Sequence, residues 1–256
     1  DEALEDAIYD SQAMRDFVGI DLSIESVPDA TTLLRFRHLL ERHSLTQRIF
    51  EEINASLAER GLFMREGTIV DATIIAAAPS TKNKAKQRDP AMKQTRKGNQ
   101  WYFGMKAHIG VDAATGLTHS LVATSANQAD ITVAEQLLRD DKEPIYADAG
   151  YTGLGKRLCG DDDTLPPLRI AARRSTIKKM EDGPEKQIKQ RIEHCKASIR
   201  AKVEHPFHVI KNLFGHCKVR YRGMEKNQAQ LFSLFALANL VLAKRCYATT
   251  DGVIAS

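Results

Sequence analysis

Apolar positions repeat first at helical spacing, then at every second residue, then at helical spacing again. A helix is expected from Glu2 to Tyr9, and Asp29, following Pro28, caps another that carries Leu33, Leu34, Phe36, Leu39 and Leu40. Ser44 with Gln47 forms a capping box for a further helix that stops at Gly61. After Gly67 the run TIVDATIIAA is β-branched and suits a strand buried on both faces. From Trp101 the period is two: Trp101, Phe103, Met105, Ala107, Ile109 and Val111 point to a core, and Tyr102, Lys106, His108 and Asp112 point away. DAATGL turns the chain, with Gly116 free to take a positive φ, and Thr118 to Thr124 returns as the hairpin partner. Asp130 caps a helix through Leu138, Ile145 to Ala147 is a short buried strand, PLRIAARR another, and a long charged helix starts near Glu185. Strand, hairpin, helix, strand, strand and helices in that order call for a mixed α/β sheet with helices on its faces, preceded by a helical segment.

Two stretches stand apart from these periods. STKNKAKQRDPAMKQTRKGNQ has cations at Lys82, Lys84, Lys86, Arg88, Lys93, Arg96 and Lys97 and almost nothing apolar, and reads as a mobile basic loop. The apolar run Leu231 to Ala243 is interrupted by Asn239 and falls short of the ~20 residues that span a bilayer, so it reads as a buried helix.

Charge sharpens the picture. The formal net charge is only +4. Up to Arg60, however, acidic residues outnumber basic ones about two to one, and from Lys156 to Gln230 the ratio is roughly reversed, which suggests a polyanionic partner for the later part. Arg35, Arg37, His38 and Arg42 offer a DNA-facing helix, but in so acidic a segment a helical support role is the stronger reading. Cys159, Cys195, Cys217 and Cys246 lack C-x-x-C spacing and read as reduced thiols of a cytoplasmic protein; His194-Cys195 and His216-Cys217 do not have the spacing of a zinc knuckle.

The chemistry lies in three carboxylates. Asp71 sits inside the first strand and Asp148 at the end of the later one. An aspartate among Ile, Val and Ala must be paired, hydrogen-bonded or bound to a cation. Either one alone is compatible with a structural salt bridge. In SIRAKVEHPFHVIK, wound at about 100° per residue, Arg200, Glu204, His208 and Lys211 fall within roughly 80° of one another, beside a proline that costs an ordinary helix about 3 kcal/mol. A third carboxylate on a rigid helix, with cations around it, makes the set that two hard divalent ions need to clamp a phosphodiester. Asp112 and Asp130 are weaker candidates, one beginning a turn and the other capping a helix. Lys106 and His108 are expected phosphate contacts, and the Lys82–Lys97 loop and Arg173-Arg174 are expected to grip backbone phosphates. Trp101, on the apolar face, is expected in the core.

GTIVDATIIAAAPSTKNK, GNQWYFGMKAHIGVDAATG, YADAGYTG and IRAKVEHPFHVIKNLFG followed by KVRYRGMEKN, in this order, resemble the bacterial insertion-sequence transposases with an Asp-Asp-Glu active site, specifically the insertion sequence 5 group. In the family motif Tyr-x2-Arg-x3-Glu-x6-Lys, Arg200, Glu204 and Lys211 fit, and Ala197 stands at the tyrosine place. The resemblance implies an RNase H-like mixed sheet flanked by helices over 63–247, with a helical insertion around 175–198, a helical segment over 1–62 and a tail over 248–256. It further implies two Mg²⁺ ions, replaceable by Mn²⁺, on Asp71, Asp148 and Glu204, and double-stranded DNA as partner. Arg200 and Lys211 would hold phosphates, and the protein would be at least a dimer when two element ends are paired. It also implies a further helical stretch upstream of Asp1. A plain nuclease of the same fold and a DNA-binding remnant remain as alternatives.

Overall fold

The computed structural model describes residues 2–63, 65–82, 84, 86–139, 142–158 and 165–254, with side chains to 246; Cys159 lies outside the described residues. Contacts divide the chain into two compact units, 1–48 and 49–256.

The first unit is helical: α1 (Glu2–Asp10), α2 (Gln12–Val18), α3 (Ala30–Arg42) and the start of α4 (Leu45–Glu59). Asp29 caps α3 as expected, its side chain accepting from the Thr32 N–H at 2.6 Å. Glu5 accepts from the Ala30 N–H at 2.9 Å and so ties α1 to the start of α3. The apolar stripe of α3 is not buried: Leu34, Phe36 and Leu39 are all exposed.

In the second unit α4 ends where Gly61 turns left-handed at φ 72°, letting the Leu62 N–H reach the Leu57 carbonyl at 3.0 Å. Six strands follow: β1 (Thr68–Ala76), β2 (Lys93–Lys97), β3 (Gln100–Asp112), β4 (Thr118–Ser125), β5 (Ile145–Ala147) and β6 (Leu168–Ile170). They lie in the order β4-β3-β1-β5-β6, with β2 on the protruding first part of β3. β1 and β3 are antiparallel from Thr68↔Asp112 to Ala76↔Gly104, whereas β5 and β6 add in parallel. An antiparallel meander extended by two parallel strands is the RNase H-like arrangement.

Alternation along β1 separates two cores. Ile69 and Ile75 face the larger one, built with Phe50, Leu57, Phe207, Ile210, Leu231 and Phe235, and Val70 faces a smaller one with Leu137, Ala147, Tyr151 and Leu154. The large core is closed by α9 (Met224–Ile254), of which Met224–Cys246 is long and apolar enough to cross a bilayer by length and composition. Its Leu231, Phe235, Ala236 and Ala238 are instead sealed against the sheet, as expected for a core helix. Asn239, which interrupts the apolar run, is fully buried. It accepts from the Thr118 N–H (2.9 Å) and donates to the Thr118 carbonyl (2.7 Å) and Asn54 Oδ1 (2.7 Å), locking α9, β4 and α4 together.

Three expectations are corrected. Lys93–Lys97 is not loop but β2, paired with Gln100–Gly104, because a two-residue Gly98-Asn99 connection lets a polar strand fold back on its neighbour. Trp101 is 64% exposed, since β3 runs on past Gly104, the last of its residues paired with β1. The helix expected from Asp130 is two 3-10 turns, Asp130–Thr132 and Ala134–Leu137. The remaining helices are α5 (Leu154–Leu158), α6 (Arg174–Lys178), α7 (Pro184–Arg200) and α8 (Glu204–His208).

Replacing Asn239 with Ala should lower unfolding stability by about 2–4 kcal/mol in urea denaturation, because both Thr118 backbone groups lose a buried partner.

Candidate active site

The pairing of β1 with β5 sets the site. Thr68 lies opposite Ile145 and Ile69 opposite Tyr146, and continuing that register brings Asp71 level with Asp148, one position beyond the end of β5. Neighbouring strands are about 4.8 Å apart, and both residues fall on the large-core face. There the strands part. The chain rejoins β1 only at its far end, where the Ala76 N–H donates to the Cys217 carbonyl and the Val219 N–H to the Ala76 carbonyl. β1 is also the strand whose neighbours change from antiparallel to parallel, the switch point at which α/β sheets open a crevice.

Glu204 comes to this opening on a helix that never becomes regular. α7 ends at Arg200, Ala201–Val203 is a 3-10 turn, α8 begins at Glu204, and Val209–Leu213 is a π-turn with the Phe214 N–H on the Val209 carbonyl at 2.9 Å. Pro206 is the local cause, lacking an N–H for the carbonyl of Lys202 and crowding it. The segment is held from outside. Lys202 donates from Nζ to the carbonyls of Ala113 and Ala114 at 2.7 and 2.9 Å. Gly116, at φ 76°, passes so close that a Cβ there would lie 3.2 Å from the Lys202 carbonyl oxygen. That turn is itself fixed by buried Asp112, which accepts from the N–H groups of Ala114, Thr115 and Arg65 and from Arg139 Nη2. Asp112 is thus a structural anchor two residues upstream of the contact that steadies Glu204.

The charges of this region act on one another. Burial, joined by the charges of Asp148 and Glu204, raises the Asp71 carboxyl to about 6 against the opposing Ala72 N–H hydrogen bond and Arg200. Lys211 donates from Nζ to Thr73 Oγ1 at 2.6 Å, two positions from Asp71 on the same strand face. Its pKa is lowered by burial and by Lys97, against the pull of Cys217 and Glu204. Asp71, Asp148, Glu204, Arg200 and Lys211 therefore form one polar region. By chemistry, three hard carboxylates are the kind of donor set that divalent cations take. As the side chains stand, Asp71 Oδ1 accepts from the Ala72 N–H (2.7 Å) and Asp148 Oδ1 from the Gly150 N–H (2.8 Å). Among the described residues no three His, Cys, Asp or Glu side chains are already gathered at ligand distance.

Other expected contacts lie elsewhere. Lys106 and His108 pair with Ile74 and Ala72 and so occupy the opposite face of the sheet. Lys106 Nζ is engaged by Asp130 and the Gln128 carbonyl, both at 2.8 Å. His108 is fully buried, bonded to Thr124 Oγ1 at 2.7 Å, and burial lowers its pKa to about 4; no phosphate reaches it in this conformation. Lys82 and Lys84 are exposed on the connection after β1, and Arg173 and Arg174 are exposed at the start of α6. Tyr151 was not singled out by the sequence although YADAGYTG contains it. Its hydroxyl is buried without a hydrogen-bond partner among the described residues, and its pKa is raised by burial first and then by Asp130, Asp71 and Asp148.

The sheet order and the acidic residues on its adjacent parallel strands define an RNase H-like fold. Comparison with known proteins narrows this. Residues 62–240 match the Transposase DDE domain model, and 1–39 match Transposase domain (DUF772). The chain belongs to the Transposase DDE domain family. It also resembles the cryo-EM structure of piggyBac transposase in a synaptic complex with hairpin DNA, with 11% identity and a TM-score of 0.48. That match covers 73% of this chain and 48% of that one, so the chain spans about half the length of that transposase.

The raised pKa of Asp71 makes a signed prediction. A carboxyl whose folded pKa exceeds its unfolded value favours folding at low pH and loses that contribution as pH rises, here between about 4 and 6. Without divalent metal, Asp71→Asn should therefore be more stable than the parent above pH 6, by up to about 3 kcal/mol, and nearly equal to it below pH 4. Thermal melts in EDTA across that range check this.

Proposed function

We propose that this protein cuts DNA at the ends of a mobile element and transfers the freed 3′ hydroxyl to a target phosphodiester. The observation that supports it most is the register that puts Asp71 level with Asp148 where β1 and β5 part, with Glu204 and Arg200 close enough to act on the Asp71 charge. In this reading Asp71, Asp148 and Glu204 hold two Mg²⁺ ions, which when bound supply positive charge against the phosphodiester oxygens and acidify water.

The chain's own groups do the rest. Arg200 and Lys211 flank the carboxylates and hold the phosphates on either side of the reacting one. Arg173, Arg174, Lys82 and Lys84, all exposed, add backbone contacts that position DNA without reading its sequence and make binding fall with salt. Lys106 and His108 act from the other face, through Asp130 and Thr124, as supports of the strand pair that bears the site. Little covalent chemistry is asked of the protein, and positioning and charge carry the rate. Joining two ends calls for at least two copies on DNA.

The test uses the whole chain with duplex DNA carrying element ends and a target plasmid. Cleavage and joined products are expected in Mg²⁺ and neither in Ca²⁺. Asp148→Asn and Glu204→Gln should each lower cleavage by roughly a hundredfold or more while DNA binding persists. Cleavage without joining would make the protein a nuclease, and binding without Mg²⁺-dependent cleavage would make it a remnant.

A further inference from the structure

The β2–β3 hairpin has a composition and placement that the carboxylate site does not explain. β3 overshoots the sheet beyond Gly104, at the end of β1 towards which β5 also points, so the hairpin projects from the same end as Asp148. Trp101 stands eight residues along β3 from Ile109, the partner of Asp71, and on the same face of the strand, and the Lys97 charge also acts on Lys211.

The tip is stiff. Gly98 takes φ 61° at the first of the two loop positions, Arg96 Nε donates to the Gly98 carbonyl at 3.0 Å and its Nη2 to Asn99 Oδ1 at 3.3 Å, and the Tyr102 hydroxyl donates to Gln100 Oε1 at 2.8 Å. At the base, Arg88 lies 5.4 Å over the Phe103 ring and donates from Nε to the Pro79 carbonyl. On this braced ribbon the Trp101 ring is left 64% exposed, directly across from exposed Arg96 and on the same face as the Arg88–Phe103 pair, while exposed Lys93 and Lys97 line the other face.

A single exposed aromatic ring is ordinary on a protein surface, but one opposite an arginine on a braced ribbon with cations on both faces has a specific chemical complement in a protein that handles DNA. Phosphates neutralise the cations, and a base offers the flat π-face an indole stacks on without regard to sequence. In an intact duplex both faces of every base are covered by neighbours. The ring can stack only where a base is unpaired or splayed, as at a strand end or a distorted step. We infer that the β2–β3 hairpin is a DNA finger on which Trp101 stacks an unpaired base of the DNA that the carboxylates serve. The inference rests on reading the chain as an enzyme of DNA and adds to it the form of DNA that it holds at the site.

Trp101 is the chain's one tryptophan, so intrinsic fluorescence reports this position alone. The whole chain is titrated at low salt, in Ca²⁺, with a mixed-sequence duplex and with the same duplex bearing a single-stranded 3′ extension, binding being followed independently by anisotropy of labelled DNA. The indole should be quenched by the extended DNA and much less by the intact duplex. Trp101→Ala should bind the extended DNA about tenfold more weakly, with little change for the intact duplex, and Trp101→Phe should restore most of the difference. Both substitutions are at an exposed position, and a thermal melt confirms folding. Binding of both DNAs with an unchanged indole signal, or a Trp101→Ala protein that keeps the preference for extended DNA, overturns the stacking while leaving the transposase reading intact. No binding of the parent protein to either DNA overturns both.

Discussion

The placement of one carboxylate inside a β-branched strand governs this protein. Asp71 is flanked along β1 by Ile69, Val70, Ala72 and Thr73, and it shares a crevice with two more acids. A charge held there costs free energy in the metal-free fold, which the raised pKa expresses directly. Selection for stability alone would replace it. Among the described residues no lysine or arginine forms an ion pair with it: Lys211 bonds Thr73 instead, and Arg200 acts on it through space. A carboxylate left without a close counter-ion is available to a cation from solution.

The sheet and the broken helix are two solutions to one geometric problem, that of bringing acids distant in sequence to a single crevice. Parallel pairing of β1 with β5 at Thr68 and Ile69 brings the two aspartates level where the strands part. The third acid comes from a helix, and a straight helix laid over a twisted sheet meets it along only a short length. The 3-10 turn, Pro206 and the π-turn make this stretch irregular, and from it Lys211 reaches Thr73. Such irregularity is tolerable because the tertiary structure holds it: Lys202 is gripped by the β3–β4 turn, and Val203, Phe207 and Ile210 are sealed into the large core.

Opposite faces of the same strands carry opposite kinds of polar chemistry. On the crevice face acids and cations remain accessible. On the other, Lys106, His108, Thr124 and Asp130 are consumed by one another, and burial keeps the imidazole neutral. The two residues sit one and three positions from Ile109 and therefore look identical to the crevice residues by composition. Pairing partner, and not residue type, separates them.

Hydrophobic period and residue type alone determined the strands β1, β4 and β5, the caps at Asp29 and Gly61, the buried helix through Leu231 and the three acids worth attention, because these follow from local backbone preferences and from the cost of putting charge among apolar side chains. They did not show that Trp101 is exposed, since alternation tells which residues share a face but not how far a sheet extends to cover that face. Nor did they show β2, a strand of Lys, Gln, Thr and Arg with no apolar signal, which exists only because β3 is there to pair with it. The same holds for His108, polar by pattern and buried in fact. Whether Asp71, Asp148 and Glu204 approach one another depended on strand register and on a helix path that proline and the Lys202 clamp bend, and those are decided by contacts between residues far apart in the chain.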